Sequence, residues 1–276
     1  MIKYSDVVTP TKMTSGTHFK ANQFSRLAFK GLSGPVLNID QFEMNGPTFA
    51  AHPHAGFSAV TYLFESSIGG FVNRDSLGNT VYLHPGSTHW TRASRGIVHE
   101  ELPIENGKTV KGLQIFFNLP ASHQNERPAA FHVSPDAVIT QTTKDGVRYR
   151  VSVNGTKIEG QPALAQPALV SEVTLPMDTR YSIPIEANFA GVLLVVDGQV
   201  EIDATTVKAD HAVGFKTDKA SEIVLRGLTN NSKVVLVAGE SFEQAVFQRG
   251  PFILASQQQL DDSIQRFQSG EFGQLT

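Results

Sequence analysis

The sequence contains no cysteine among its 276 residues, and this absence excludes several kinds of chemistry at once. Disulfide bonds, thiolate metal sites, iron–sulfur clusters and cysteine nucleophiles all require a thiol. Histidine, aspartate and glutamate are therefore the side chains left to bind a metal ion.

Positive charge is also scarce. Charged residues make up 18% of the chain and the formal net charge is -3, so no surplus of lysine and arginine is available to neutralise phosphates. Direct nucleic-acid binding is not expected. No stretch approaches the roughly 18 consecutive apolar residues of a membrane span, and the beginning, "MIKYSDVVTPTKMTSG", lacks the apolar core of a signal peptide. We expect a cytoplasmic protein without a membrane segment.

What the chain does contain is a series of short apolar runs separated by turns. Its 23 glycines and 14 prolines interrupt runs rich in valine, isoleucine, phenylalanine and threonine, which is typical of an all-β protein. Six runs between Val36 and Leu119 indicate a small antiparallel barrel or sandwich. A second series follows a polar, proline-containing stretch after Pro120, and its similar spacing predicts two related barrels.

One helix is predicted near the end of the chain, at about residues 256–269. Ser256 and Gln259 form a capping-box pattern, and apolar residues then recur on one helical face. Gly270 is a natural stop for this helix.

Two pairs of polar residues carry the candidate chemistry. In a strand, residues i and i+2 point to the same face, so His52 and His54 project together while Pro53 points away. His99 and Glu101 in "GIVHEELP" have the same spacing. If the two pairs lie on neighbouring strands and point inward, three imidazoles and one carboxylate converge.

A metal site is one of two interpretations of these pairs. A single histidine is more often a surface or hydrogen-bonded residue, and strand pairing cannot be read from periodicity. Two such pairs within one β series favour the metal, because an inward Glu101 without a cation would be costly. Three nitrogens and one oxygen favour iron, manganese, nickel or cobalt over calcium or magnesium, and zinc is a further candidate. Such an ion keeps two positions open for dioxygen or a chelating substrate.

Several long motifs give a more specific indication. The stretches "HPHAGFSAVTYL", "RDSLGN", "HPGSTHWTRASRGIVHEELP" and "GLQIFFNLP", and the tail "GPFILASQQQLDDSIQRFQSGEFG", closely resemble the pirin family of the cupin superfamily. The resemblance extends from about Val36 to Gly273. It implies a bicupin, with two antiparallel, jelly-roll-like β-barrel domains that face each other. The expected domains are residues 1–135, which bind the metal, and residues 136–276, which lack ligands and include the tail helix.

The resemblance also implies the chemistry. The family's three histidines and one glutamate match His52, His54, His99 and Glu101, and its usual metal is iron, so Fe(II) becomes the first choice. Some members are described as quercetin 2,3-dioxygenases, which open a flavonol ring with O₂ and release CO. Others are described as iron-dependent, redox-sensitive partners of transcription factors or metabolic enzymes.

Two functions therefore remain open from the sequence. The first is a quercetinase-type oxidoreductase that acts on a small aromatic or enolisable substrate with O₂, in which Glu101 is the candidate base when it leaves the metal transiently. The second is a non-enzymatic, redox-sensitive regulator that acts through a protein partner. The oligomeric state cannot be predicted.

Four further residues are candidates for the pocket. Many pirins have glutamate at the position of Ser58, and counting along the strand places this residue on the face of the two histidines. Gln114 is a polar residue within an apolar run and is either a support for a ligand or a partner of the backbone. Phe57 and Trp90 could line a pocket for an aromatic ligand, although core packing is the usual role of such residues.

Overall fold

The computed structural model describes residues 1–158, 161 and 163–275 and consists mainly of β-strands. In chain order the strands are β1 (Lys3–Tyr4), β2 (Thr11–Ser15), β3 (Phe19–Ser25), β4 (Val36–Met44), β5 (His52–His54), β6 (Phe57–Leu63), β7 (Phe71–Asp75), β8 (Thr80–Leu83), β9 (Thr88–Arg92), β10 (Ile97–Pro103), β11 (Val110–Asn118), β12 (Ala129–Val133), β13 (Ile139–Thr142), β14 (Arg148–Gly155), β15 (Ala168–Leu175), β16 (Arg180–Ile185), β17 (Phe189–Asp197), β18 (Gln199–Ile202), β19 (Thr205–Lys208), β20 (His211–Lys216), β21 (Ser221–Gly227), β22 (Ser232–Glu240), β23 (Phe247–Arg249) and β24 (Phe252–Leu254). The helix α1 is Gln257–Gln268, and the short 3-10 turns are Arg26–Phe29, Ala121–His123 and Pro135–Ala137.

The chain divides into two compact units. The histidine unit comprises Lys12–Gln23, Asn38–Pro135 and Glu243–Thr276. The aliphatic unit comprises Met1–Thr11, Phe24–Leu37 and Asp136–Phe242. Each unit has its own pair of large sheets.

The strand order is the same in both pairs of sheets, apart from one edge strand of the large sheet, which is β12 in one and β1 in the other. A seven-stranded sheet with the order β12-β9-β6-β11-β4-β3-β2 accompanies the four-stranded sheet β5-β10-β7-β8. The second pair repeats this plan as β1-β20-β17-β22-β15-β14-β13 and β16-β21-β18-β19. The prediction of an all-β chain with two related domains is confirmed. Each domain is jelly-roll-like, with two separate sheets rather than one closed barrel.

The interior of the aliphatic unit is filled by branched side chains. Alternate residues of its strands point inward, so valine, leucine and isoleucine from both sheets meet in one buried cluster. Ile183, Leu193, Ile223, Leu225 and Leu236 are completely buried there. Burial of such side chains is the main source of stability for this unit.

The tail helix lies within one residue of its predicted limits. Ser256 caps it by accepting a 3.2 Å hydrogen bond from the backbone N–H of Gln259, and Ser269 is the C-cap. The side chains of Leu260 and Phe272 are buried against the histidine unit. The predicted capping box is confirmed.

The tail does not follow the predicted domain boundary between residues 135 and 136. We expected residues 243–276 to belong with the second domain, but they belong to the histidine unit. The reason is local pairing, because Ala55 forms a parallel bridge with Phe252 and its carbonyl oxygen accepts a 3.0 Å hydrogen bond from the N–H of Ile253. None of the helices among the described residues has the length and apolar character needed to cross a bilayer.

Candidate metal centre

Three histidines meet on one face of the four-stranded sheet. Strands β5 and β10 pair antiparallel, with His52 opposite His99 and His54 opposite Ile97. Residues at i and i+2, and residues directly opposite in an antiparallel pair, share a face. The expected pairing of the two strands is therefore confirmed, and the three imidazoles lie side by side.

The three imidazole rings form a nearly equilateral triangle. The centroids of His52, His54 and His99 are 4.8 Å apart in every pair. One nitrogen of each ring lies within 4.8 Å of a nitrogen of each of the other two. Three nitrogens at this spacing can bind a single metal ion from one side.

Burial keeps these imidazoles neutral. Burial, with a smaller effect of the neighbouring His52, lowers the pKa of His54 to about 3. Burial first, and then the neighbouring His54, His52 and His89, hold the pKa of His99 well below its ordinary value, and burial also lowers the pKa of His52. A metal ion binds the neutral form of imidazole, so the histidines are in the form that a metal requires.

Hydrogen bonds at Nδ1 orient two of the rings. Nδ1 of His52 lies 2.9 Å from the carbonyl oxygen of Ala50, and Nδ1 of His99 lies 3.1 Å from the side-chain amide of Asn73. A proton on Nδ1 leaves Nε2 as the ligand atom, which requires that Asn73 present its oxygen to His99. Turning the amide in this way would give the buried oxygen of Asn73 a partner at His99, at the expense of the hydrogen bond that its nitrogen donates to Glu101.

Glu101 lies on the same face of β10 as His99 and lines the same cavity, as does Gln114. Oε1 of Glu101 accepts a 2.6 Å hydrogen bond from Oγ1 of Thr61, which also lies 2.9 Å from the amide oxygen of Gln114. A hydroxyl has one proton, so the second contact is satisfied when Gln114 turns its amide nitrogen towards Thr61. Burial raises the pKa of Glu101, and hydrogen bonds from Thr61 and Asn73 partly oppose this. Ligation by Glu101 stays a prediction.

The cavity beside the histidines is mainly apolar. It has a volume of about 320 Å³, which is near the lower limit of small-molecule pockets. Phe42 stacks between Phe19 and Phe71, with ring centroids 6.3 and 5.6 Å away. Two carboxyl groups, those of Glu101 and Asp40, interrupt the apolar lining.

Ser58 does not line this cavity, contrary to the expectation that it continues the ligand face. Strands β5 and β6 belong to different sheets, and the chain turns between them at Gly56, whose φ is 86°. A Cβ at Gly56 would lie 2.0 Å from the carbonyl oxygen of Ile253, so the turn requires glycine. Along β6 alternate residues face opposite sides, so Thr61 faces Glu101 and Ser58 faces away.

The two aromatic candidates also lie behind the cavity lining. The ring of Phe57 packs at 5.1 Å from that of His54 and 4.7 Å from that of Phe116, so it supports a ligand. Trp90 is buried against Phe117 at 5.0 Å and does not line the cavity. Its role is core packing, as is usual for an aromatic residue in a strand.

Sequence reasoning missed three polar residues near the histidines. Thr61 and Asn73 are almost completely buried. A polar residue inside an apolar run is the signal that would have indicated Thr61, whereas Asn73 is followed by Arg74 and Asp75 and gives no such signal. His89 is buried opposite Thr61. Burial lowers the pKa of His89 to about 3, and its ring nitrogens have no hydrogen-bond partner within the described part of the chain.

This set of donor atoms fits a divalent first-row transition ion. Three neutral imidazoles next to a carboxylate are unlike the oxygen cages that calcium and magnesium prefer. His52, His54 and His99 would hold the ion, and Glu101, which lines the same cavity, is the predicted fourth ligand.

Comparisons with known proteins agree with this architecture. A family model described as Pirin matches residues 8–117, and a model described as Pirin C-terminal cupin domain matches residues 170–273. Human pirin is 30% identical over 244 residues, which cover 87% of this chain and 83% of that protein. A Pseudomonas aeruginosa protein provisionally named a quercetin 2,3-dioxygenase is 27% identical over 253 residues, which cover 86% of each.

The solved structures show the same fold. The crystal structure of quercetin 2,3-dioxygenase from Acinetobacter baumannii superposes with a TM-score of 0.85 over 100% of both chains, at 21% sequence identity. At this identity the likeness concerns the fold. It supports the two-domain cupin architecture of this chain.

Proposed function

The chain belongs to the pirin family, and from this premise we propose that it is a metal-dependent dioxygenase that cleaves a flavonol or a similar enolisable aromatic compound with O₂. The relative provisionally named a quercetin 2,3-dioxygenase supports this substrate class. In that reaction the heterocyclic ring opens and one of its carbons leaves as CO.

The observation that carries the proposal is the position of the three imidazoles. His52, His54 and His99 line an apolar cavity whose walls are largely phenylalanine and methionine. A metal centre with only a structural or redox role does not need such a cavity, whereas a flat aromatic substrate does. The stacked rings of Phe42 and Phe71 offer a surface for its faces.

The protein's own residues would prepare the substrate for oxygenation. When bound, Fe(II), or in its place manganese, nickel, cobalt or zinc, would supply a Lewis acid to the substrate oxygens. The Glu101 carboxylate accepts the enolic proton of the substrate, and burial makes it a stronger base by raising its pKa. The hydrogen bond from Thr61 holds this carboxylate in place. The apolar walls exclude water from the reacting group.

The test is aerobic incubation of the iron-loaded protein with quercetin. We expect loss of the flavonol absorbance and release of CO at a rate well above that of free iron at the same concentration. The His99→Ala variant should fall to the rate of free iron. Equal rates for the wild type, the variant and free iron would contradict a dioxygenase function.

A further inference from the structure

Asp40 is a carboxyl group in an otherwise apolar part of the cavity. It lies on β4, where Phe42 and Met44 follow on the same face at i+2 and i+4, and all three line the cavity. The side chain of Asp40 is only partly exposed. A carboxylate among phenylalanine and methionine is costly unless it is hydrogen-bonded, so its position calls for an explanation.

The protein satisfies this carboxylate only in part. Oδ1 accepts a 3.1 Å hydrogen bond from the amide nitrogen of Gln23, and the amide of Asn38 is a second donor. Among the described residues no lysine, arginine or histidine forms a salt bridge with Asp40. An ionised carboxylate has about four acceptor positions, so capacity remains for a donor from a ligand.

Asp40 lies on a different sheet from the three histidines. It belongs to β4 of the seven-stranded sheet, whereas β5 and β10 of the four-stranded sheet carry His52, His54 and His99. Its strand β4 is two strands away from β6, which carries Thr61, with β11 between them. At roughly 4.8 Å per strand, the two positions are on the order of 10 Å apart. A molecule of two or three joined aromatic rings spans such a distance.

We propose that Asp40 is a binding residue that accepts a hydrogen bond from a hydroxyl group at the end of the substrate remote from the metal. This inference rests on the proposed function and adds the requirement that the aromatic substrate carry a distal phenolic hydroxyl. Gln23 and Asn38 hold the carboxylate in position. The phenylalanines that line the same cavity contact the rings of the substrate.

The environment makes this hydrogen bond effective. Burial raises the pKa of the Asp40 carboxyl, while the hydrogen bonds from Asn38 and Gln23 act in the opposite direction. The rise reflects poor access of water, and a hydrogen bond to a charged group is worth more where water competes less.

The test compares two flavonols that differ in distal hydroxyl groups. Quercetin carries hydroxyls on its outer ring, whereas 3-hydroxyflavone has the same chelating group and no outer hydroxyl. Dissociation constants are measured without oxygen on the metal-loaded protein, by quenching of protein fluorescence, for the wild type and for Asp40→Leu and Asp40→Asn. We expect Asp40→Leu to weaken quercetin binding by about 10-fold or more, since hydrogen bonds to charged groups contribute at least this much. Asp40→Asn should have a smaller effect, and 3-hydroxyflavone should bind equally to all three proteins.

Glu43 on the opposite face of the same strand provides the matched control. It forms salt bridges with Lys20 and Lys111 outside the cavity, so Glu43→Gln should change neither constant. Equal weakening of both flavonols in the Asp40 variants would mean a structural role, and no change in either would mean no contact. Both results overturn the inference while quercetin cleavage can persist. Asp40-dependent binding of quercetin without CO release would instead support the binding role of Asp40 and contradict the proposed dioxygenase function.

Discussion

The histidine unit and the aliphatic unit have the same strand order but opposite interiors. β5 and β10 of one unit correspond in that order to β16 and β21 of the other. Where β5 and β10 present His52 and His99 as a cross-strand pair, β16 and β21 present Ile183 and Ile223. The fold therefore provides the frame, and the identity of a few inward side chains decides whether the frame holds a metal centre.

The difference also has an energetic side. Ile183 and Ile223 of the aliphatic unit are completely buried and contribute through apolar burial. The imidazoles of the histidine unit gain less from burial, since each must give up hydration of its ring nitrogens. The histidine unit thus exchanges some stability for a site that can bind an ion, a cost that metal binding offsets.

Removal of a histidine ligand should produce the largest change in the histidine unit. We expect His54→Ala to weaken metal binding by more than about 100-fold, because loss of a ligand exceeds the 10- to 100-fold effect of its supporting residues. The matched control is His211→Ala in the aliphatic unit, whose imidazole bonds the carbonyl of Ala209. Metal content and affinity are measured on protein purified without a histidine tag. Equal loss in both variants, or in neither, would contradict the assignment.

Acid should destabilise the histidine unit more than the aliphatic unit in the metal-free protein. A histidine whose folded pKa is lower than its unfolded value of about 6.5 binds a proton more weakly in the folded state, so stability is lost as the pH falls from 6.5 towards 3. His54 and His89, each with a pKa of about 3, lie in the histidine unit. The loss is at most about 1.4 kcal/mol per pH unit for each. The raised pKa values of Glu101 and Asp40 act in the opposite direction.

Hydrogen exchange provides the measurement for this effect. Amides of β5, β6, β9 and β10 should exchange faster at pH 5 than at pH 7, relative to amides of β17 and β22 and after correction for intrinsic rates. The His54→Ala variant should show a smaller pH effect. Simultaneous opening of both units would refute the expected difference.

The smallest effect is expected at Ser58. The Ser58→Glu variant should keep its metal affinity within about twofold of the wild type, because the new carboxylate faces away from the histidines. The matched variant is Thr61→Val on the opposite face of the same strand. Loss of its hydroxyl removes the hydrogen bond to Glu101 and should lower the affinity for the metal by roughly 10-fold. Metal titration of both variants shows which face of β6 points towards the metal site. Tighter binding by Ser58→Glu would show that Ser58 faces the metal.

Local patterns explain why much of the architecture was predictable. The spacing of His52 and His54 defines a common face in any strand, and the capping box at Ser256 is a property of adjacent residues. Alternation failed at Ser58 because a turn at Gly56 separates two strands of different sheets, and a count across that turn has no meaning.

By itself the sequence determined the all-β class, the two related domains, the tail helix and the common face of His52 and His54. These features depend on periodicity and on neighbours along the chain. Only the tertiary structure decided that β5 pairs with β10, that Thr61 and Asn73 hydrogen-bond the site and that Asp40 lines the cavity. These contacts join residues from different strands, so they depend on strand pairing and sheet packing, which one-dimensional spacing does not contain.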